Sequence, residues 1–403
     1  MTSFVTHLEC SRCQEDFPVD QIQQVCKADG GPLLVRYDLV RARDAMRREI
    51  LAERPWTLWR YRELLPMTGE KFVSLGEPIT PLIDAECLGA ELKIPRLRIK
   101  DEGLLPTGTF KARGAAVGVT RALELGVRVI ALPTAGNAGA AWAAYGARGL
   151  RHVVVVMPET TPNVIVRETL AYGAEVYLVP GSIAEAGAVV RRACERFGWY
   201  DASTLREPYR IEGKKTMGFE LAEQLGWRVP DVIVYPTGGG VGLIGMWKAF
   251  DELRAIGWLD EKRPRFVAVQ AEGCAPIVKA FVDGRNESEP WPDPRTFAAG
   301  IRVPKALGDF IVLKALREAG GTAVAVSDTE IADSMRAAGA AEGMLVCPEG
   351  GAALAGAAKL RRNGWIRETD EVVVFNTGTG LKYPESLQGD EARHLGPNEL
   401  PDE

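Results

Sequence analysis

Residues 127–149 read VRVIALPTAGNAGAAWAAYGARG. A β-branched, apolar run, Val127–Leu132, passes through a loop holding Gly136 and Gly139 into a stretch dominated by alanine. A short, continuous apolar run bounded by turn residues marks a strand buried on both faces, and alanine is the strongest helix former. The same rhythm recurs in RLRIK (96–100), HVVVVMP (152–158), AEVYLVP (174–180), DVIVYP (231–236), RFVAVQ (265–270), TAVAVS (322–327) and EVVVFN (371–376). Helical stretches such as AEAGAVVRRACERFG (184–198) separate most of them. Continuous apolar strands alternating with helices predict a mostly parallel sheet covered on both faces. Eight such strands exceed what one compact sheet usually holds, so two open α/β layers are expected. Residues 1–70 differ: they are charged and irregular, with a polar helical stretch near Tyr37–Arg54.

The composition is that of an ordinary globular chain: 46% hydrophobic and 26% charged over 403 residues. A net charge of −5 lacks the basic footprint of a nucleic-acid binder. No apolar run approaches the ~18 residues that span a bilayer, and MTSFVTHLECSRC does not read as a secretory signal, so a cytoplasmic location is expected. Three histidines, His7, His152 and His394, leave little for a Ser-His-Asp triad or an H-E-x-x-H site. Among seven scattered cysteines only C-S-R-C at 10–13 has the spacing of a metal knuckle. Its usual second C-x-x-C is here Cys26-Lys-Ala-Asp29. Two readings stay open: zinc held weakly at Cys10, Cys13 and Cys26, or a degenerate ribbon without metal. The expectation is no metal.

Three glycine-rich loops follow strands: Thr134-Ala135-Gly136-Asn137, Thr237-Gly238-Gly239-Gly240-Val241-Gly242 and Thr377-Gly-Thr-Gly. Glycines let backbone N–H groups approach an anion at the N-terminus of the next helix, and the triple-glycine loop is the best phosphate cradle of the three. Lys111 stands in LPTGTFKARG (105–114), boxed by Phe110 and small residues. Burial lowers a lysine's pKa and makes it a Schiff-base nucleophile. Such a lysine, a phosphate cradle and no useful histidine together point to pyridoxal phosphate.

These motifs, with CSRC…CKADGGPLLVRYDL, WRYRELLP, VSLGEPITPL, PYRIEGKKT and FNTGTGLKYPE, resemble the tryptophan-synthase-β-like (fold type II) pyridoxal-phosphate enzymes over about residues 8–385, and within them the threonine synthases. The resemblance implies two open, mostly parallel α/β domains with a short N-terminal ribbon-like extension. The expected division is 1–71 for the ribbon and linker, 72–119 with 205–388 for a large domain, 120–204 for a small inserted one, and 389–403 for a tail. It implies Lys111 as Schiff-base lysine and proton shuttle, Phe110 beside the cofactor ring, and Asn137 on its 3′-oxygen. Gly238, Gly239, Gly240, Val241 and Gly242 would hold its phosphate, and Thr377 would meet its pyridine nitrogen. The substrate's carboxylate would lie over Thr134, Ala135, Gly136 and Asn137. Its phosphate would meet Arg210, with Ser203 and Lys215 near. The implied activity converts O-phospho-L-homoserine and water to L-threonine and phosphate, in a homodimer binding neither nucleic acid nor membrane. Three positions depart from the pattern: Ala112 replaces an aspartate, Ala138 a hydroxyl residue, and Glu207 an asparagine. Either Glu207 turns to solvent, or the substrate differs. The alternatives are a serine/threonine dehydratase or a β-replacement enzyme such as a cysteate synthase.

Overall fold

The computed structural model describes residues 3–387 and Gly389, so the expected tail lies, Gly389 apart, outside the described residues. An antiparallel ribbon comes first, from β1 (Val5–Cys10), β2 (Asp16–Pro18) and β3 (Leu33–Tyr37) in the order β2-β1-β3. Next along the chain are β4 (Leu82–Asp84) and β5 (Leu97–Asp101), then β6 (Val129–Pro133), β7 (His152–Pro158), β8 (Glu175–Val179) and β9 (Tyr200–Asp201). The last strands are β10 (Val232–Pro236), β11 (Arg265–Ala271), β12 (Thr322–Val326) and β13 (Val372–Asn376). They form a six-stranded sheet, β12-β11-β10-β13-β5-β4, and a four-stranded one, β8-β7-β6-β9. Every pairing in both is parallel except β4 with β5.

All eight apolar runs are strands. The central β10 and β13 are buried at every position because helices cover both faces, whereas β8, at a sheet edge, leaves Tyr177 and Leu178 exposed. The single helix expected near Tyr37–Arg54 is two short ones, Leu39–Ala45 and Arg48–Ala52, separated where Met46 adopts an extended conformation. His152 is the exposed first residue of β7, 3.0 Å from Glu175.

Two helices carry most of the architecture near the sheets' C-terminal ends. The helix Lys111–Glu124 crosses the helix Arg210–Gln224 at Gly114 and Gly213. A Cβ on Gly213 would stand 2.0 Å from the Arg113 carbonyl oxygen, so only glycine permits this approach. The crossing delivers Arg113 into a buried cluster. Its guanidinium donates to Glu102 (2.6 and 2.9 Å), to Glu220 (2.5 and 2.7 Å) and to Thr216 (2.8 Å). Lys100 of β5 completes the set, donating to Glu220 at 3.1 Å and to the Thr80 carbonyl at 2.7 Å. Burial alone would lower the Arg113 pKa, but the two carboxylates more than offset it and hold the pKa above the ordinary value.

A second buried cluster ties the ribbon to the helices: Tyr37, at the end of β3, donates to Glu212 at 2.6 Å. Lys215 lies 2.6 Å from Glu212 and 2.8 Å from Glu252, and Lys248 pairs with both carboxylates.

Arg113→Ala leaves Glu102 and Glu220 buried beside Lys100 alone. Removing one partner of a buried ionic set costs about 3–5 kcal/mol. Urea unfolding should show a loss of that size; a change within about 0.5 kcal/mol, the range of neutral surface substitutions, would contradict the arrangement.

Candidate active site

A cleft of about 400 Å³ opens between the two larger sheets, lined by the loops that follow β6, β10 and β13. Open α/β sheets bind ligands at the carboxyl ends of their strands, and this cleft obeys that rule. Phe110 and Lys111 line it because their loop is stitched to the loop after β13: Phe110 N–H donates to the Thr377 carbonyl at 3.0 Å and Thr379 N–H to that of Gly108 at 2.9 Å. The Lys111 ammonium lies 3.8 Å from the Phe110 ring centroid. Burial drives its pKa down to about 8, against the pull of Glu349.

Thr134, Ala135, Gly136 and Asn137 line the facing wall, and Asn137 opens the helix Asn137–Gly146. Its amide donates to the Tyr383 hydroxyl at 2.7 Å, while its Oδ1 is buried without a partner. Gly238, Gly239, Gly240, Val241 and Gly242 form the floor at the N-terminus of the helix Val241–Ala255. Gly240 is left-handed, at φ +79°, and a Cβ there would stand 2.4 Å from Val312. A Cβ on Gly242 would meet the Tyr235 hydroxyl at 1.9 Å, and that hydroxyl is buried with no partner. Thr377 is buried beside Cys347 Sγ, 3.6 Å away.

Arg210 and Ser203 also reach the cleft. The Arg210 guanidinium donates to Thr204 Oγ1 (2.8 Å) and to the Ala202 carbonyl (2.6 Å), with its Nε buried and unpartnered. Ser203 donates its hydroxyl to Asp201.

Two expectations need correction. Lys215 does not line the cleft: it points into the second buried cluster, where Glu212 and Glu252 take its charge. Glu207 is not turned to solvent. It is buried and accepts the backbone N–H groups of Tyr209 (3.0 Å) and Arg210 (2.8 Å), capping the helix that Arg210 begins. Burial pushes its pKa up to about 7, against the pull of Arg210.

Other lining residues escaped sequence reasoning. Lys214 donates to the carbonyls of Phe110 (2.6 Å) and Lys111 (3.1 Å), and burial, with Lys111 alongside, holds its pKa well below the ordinary lysine value. Glu349 accepts from Gly300 N–H at 2.6 Å, and Cys347 caps its helix. Their signal was the helix-entry pattern Cys347-Pro-Glu-Gly-Gly. Arg191 and Arg302 line the cleft from separate segments and carry no local signal.

The profile of pyridoxal-phosphate dependent enzymes matches residues 73–378. The chain belongs to that family. Over 379 residues it is 37% identical to a threonine synthase of Methanocaldococcus jannaschii, covering 94% of this chain and 93% of the relative. A threonine synthase of Methanosarcina acetivorans is 37% identical over 382 residues, with 94% and 93% covered. The fold is shared with maize serine racemase, at TM-score 0.64, 24% identity, and coverage of 75% of this chain and 88% of the racemase. It is shared too with Escherichia coli diaminopropionate ammonia lyase, at TM-score 0.66, 18% identity, and coverage of 78% and 87%.

Pyridoxal phosphate is accordingly the cofactor, and the cleft fits it. A partly buried lysine shares the cleft with Gly238, Gly240 and Gly242, whose neighbours leave no room for a Cβ, and with the unpartnered Asn137 oxygen and Tyr235 hydroxyl.

Only the neutral amine attacks an aldehyde, and with a pKa of about 8 Lys111 loses its neutral fraction about tenfold for each pH unit below that value. When cofactor-free protein is mixed with pyridoxal phosphate, the rate of the absorbance change should climb with pH to about 8 and then level off. A rate that keeps climbing toward ~10.5, the ordinary lysine value, would contradict the burial argument.

Proposed function

We propose that this protein is a threonine synthase, converting O-phospho-L-homoserine and water to L-threonine and phosphate. The observation that carries the reading is that one cleft is lined by Lys111 and the glycine floor and also by three arginines, Arg210, Arg191 and Arg302. The 37% identity to threonine synthases over nearly the whole chain supports it.

On this reading Lys111 would hold the cofactor through its Nζ and would carry protons to and from the substrate's carbons. Phe110 would pack beside the cofactor ring, Asn137 would meet its 3′-oxygen, and Thr377 would meet the pyridine nitrogen. Gly238, Gly239, Gly240, Val241 and Gly242 hold its phosphate through backbone N–H groups. When bound, pyridoxal phosphate withdraws electrons from the substrate's α-carbon. Thr134, Ala135, Gly136 and Asn137 orient the substrate's carboxylate. Arg210 and Ser203 receive its phosphate, with Arg191 and Arg302 adding positive charge. Residues 120–204 close over 72–119 with 205–388, excluding water until it is needed. A cytoplasmic location and a homodimeric state go with the reading; among the described residues no helix is long and apolar enough to cross a membrane.

A second reading is favoured by two observations: Ala138 lines the cleft and offers no hydroxyl to a phosphate, and Glu207 is buried rather than turned to solvent. It makes the enzyme a serine/threonine dehydratase or a β-replacement enzyme. Purified protein given O-phospho-L-homoserine should release phosphate and threonine in equal amounts. Absence of phosphate release, with serine or threonine converted to a 2-oxoacid, would establish the dehydratase instead.

Losing a charged hydrogen-bond partner costs about 1.5–3 kcal/mol, roughly ten- to a hundredfold. Arg210→Ala should lower kcat/KM for O-phospho-L-homoserine by that factor while leaving cofactor absorbance intact. Unchanged turnover would remove Arg210 from the phosphate site.

A further inference from the structure

The N-terminal ribbon holds a group the proposed reaction does not use. Cys10, Cys13, Cys26 and Asp29 bring one ligand atom each to within 4.8 Å of one another. Two turns deliver them, and the turns repeat each other. In the first, Gln14 N–H returns to the Cys10 carbonyl at 3.1 Å, with Gln14 left-handed at φ 66°. In the second, Gly30 N–H returns to the Cys26 carbonyl at 2.9 Å, with Gly30 left-handed at φ 70°. Asp29 therefore occupies in the second turn the place that Cys13 occupies in the first. Cys10 and Cys26, the first ligand of each turn, are buried in the ribbon core.

The spacing suits a tetrahedral metal. Zn–S bonds near 2.3 Å and Zn–O bonds near 2.0 Å put tetrahedral edges at about 3.7 Å between sulfurs and about 3.5 Å between sulfur and oxygen. Cys13 Sγ and Cys26 Sγ are 3.6 Å apart, and Cys10 Sγ lies 3.4 and 3.6 Å from the two oxygens of Asp29. A disulfide needs sulfurs at about 2.05 Å and would leave Cys10 and Asp29 facing each other. The surroundings serve the ligands as well: Arg12 N–H donates to Cys10 Sγ at 3.4 Å and Gly31 N–H to Asp29 at 2.7 Å. Residue 31 is glycine because a Cβ there would stand 2.9 Å from both Cys10 Sγ and Asp29 Oδ1.

We propose that Cys10, Cys13, Cys26 and Asp29 bind one structural Zn²⁺ ion. Three thiolates select a soft or borderline cation, and four protein ligands leave no open position for chemistry. The ion braces the ribbon against the cleft's border. Arg12, inside the first turn, lies 2.6 Å from Glu287 and 4.0 Å over the Phe310 ring, and the segment between these residues supplies Arg302 to the cleft. The site is independent of which reaction the cleft performs.

The test uses full-length, untagged protein purified from cells grown with zinc. Metal analysis should find about one zinc per chain, and exchange with Co²⁺ should give a thiolate-to-cobalt charge-transfer band with tetrahedral d–d absorption. Cys13→Ser and Asp29→Ala should lose most of the metal. Asp29→Cys, which restores an all-sulfur set, should fold and hold zinc against a chelator at least as well as the parent. Glu15→Gln, which removes the carboxylate 3.7 Å from Cys26 Sγ, should keep its zinc. Protein that purifies without zinc and whose thiols react with a thiol reagent equally fast with and without added Zn²⁺ would overturn the proposal. So would iron in place of zinc, a Cys13–Cys26 disulfide in the native protein, or zinc lost from Glu15→Gln and kept by Asp29→Ala.

Discussion

The ionic cluster of Arg113 with Glu102, Glu220 and Lys100 is the constraint on which the cleft depends. All four side chains are fully buried, and their charges cancel. A buried set of this kind adds little stability over well-packed apolar residues, because desolvation consumes most of the Coulomb gain. What it supplies is geometry. Arg113 is two residues beyond Lys111, and its guanidinium fork fixes the first turn of the helix Lys111–Glu124 against β5 and the helix Arg210–Gln224. Lys111 thereby lines the same cleft as the glycine loop, and Lys214 is held next to it with its amine on the Phe110 and Lys111 carbonyls.

That crossing also explains how adjacent lysines come to different fates. Successive residues on a helix point about 100° apart. Lys214 turns to the cleft, and Lys215 turns to Glu212 and Glu252. The helix is buried along most of its length, so it has no solvent face from which its phase could be read in the sequence. Assigning Lys215 to the substrate rested on its place in a motif, and the motif does not encode which way each side chain points. Glu207 has a similar lesson. The sequence left it either turned to solvent or marking a different substrate, whereas the structure buries its carboxylate on two backbone donors.

Both large sheets were legible because burial on two faces makes their central strands, such as β7, β10 and β13, apolar along nearly their whole length. The two-residue β9 and three-residue β4 left no such trace, since their positions are set by pairing with β6 and β5. The ribbon was opaque for a related reason: β1 buries only Leu8 and Cys10, and its other positions include the polar residues Thr6, His7 and Glu9. In the cleft, the elements that could be read are local ones, Lys111 with its glycine turn and the loops at 134–137 and 237–242. Tyr383, Glu349, Arg191 and Arg302 come from segments far apart in sequence, brought together only by the fold.

The central claim is that this arrangement selects Lys111, and not its buried neighbour Lys214, as the amine that holds the cofactor. Borohydride reduction of the pyridoxal-phosphate-loaded protein, followed by proteolysis and mass spectrometry of the labelled peptide, tests it directly. The reduced cofactor should be found on Lys111; a label on Lys214, or on any other lysine, would contradict the account.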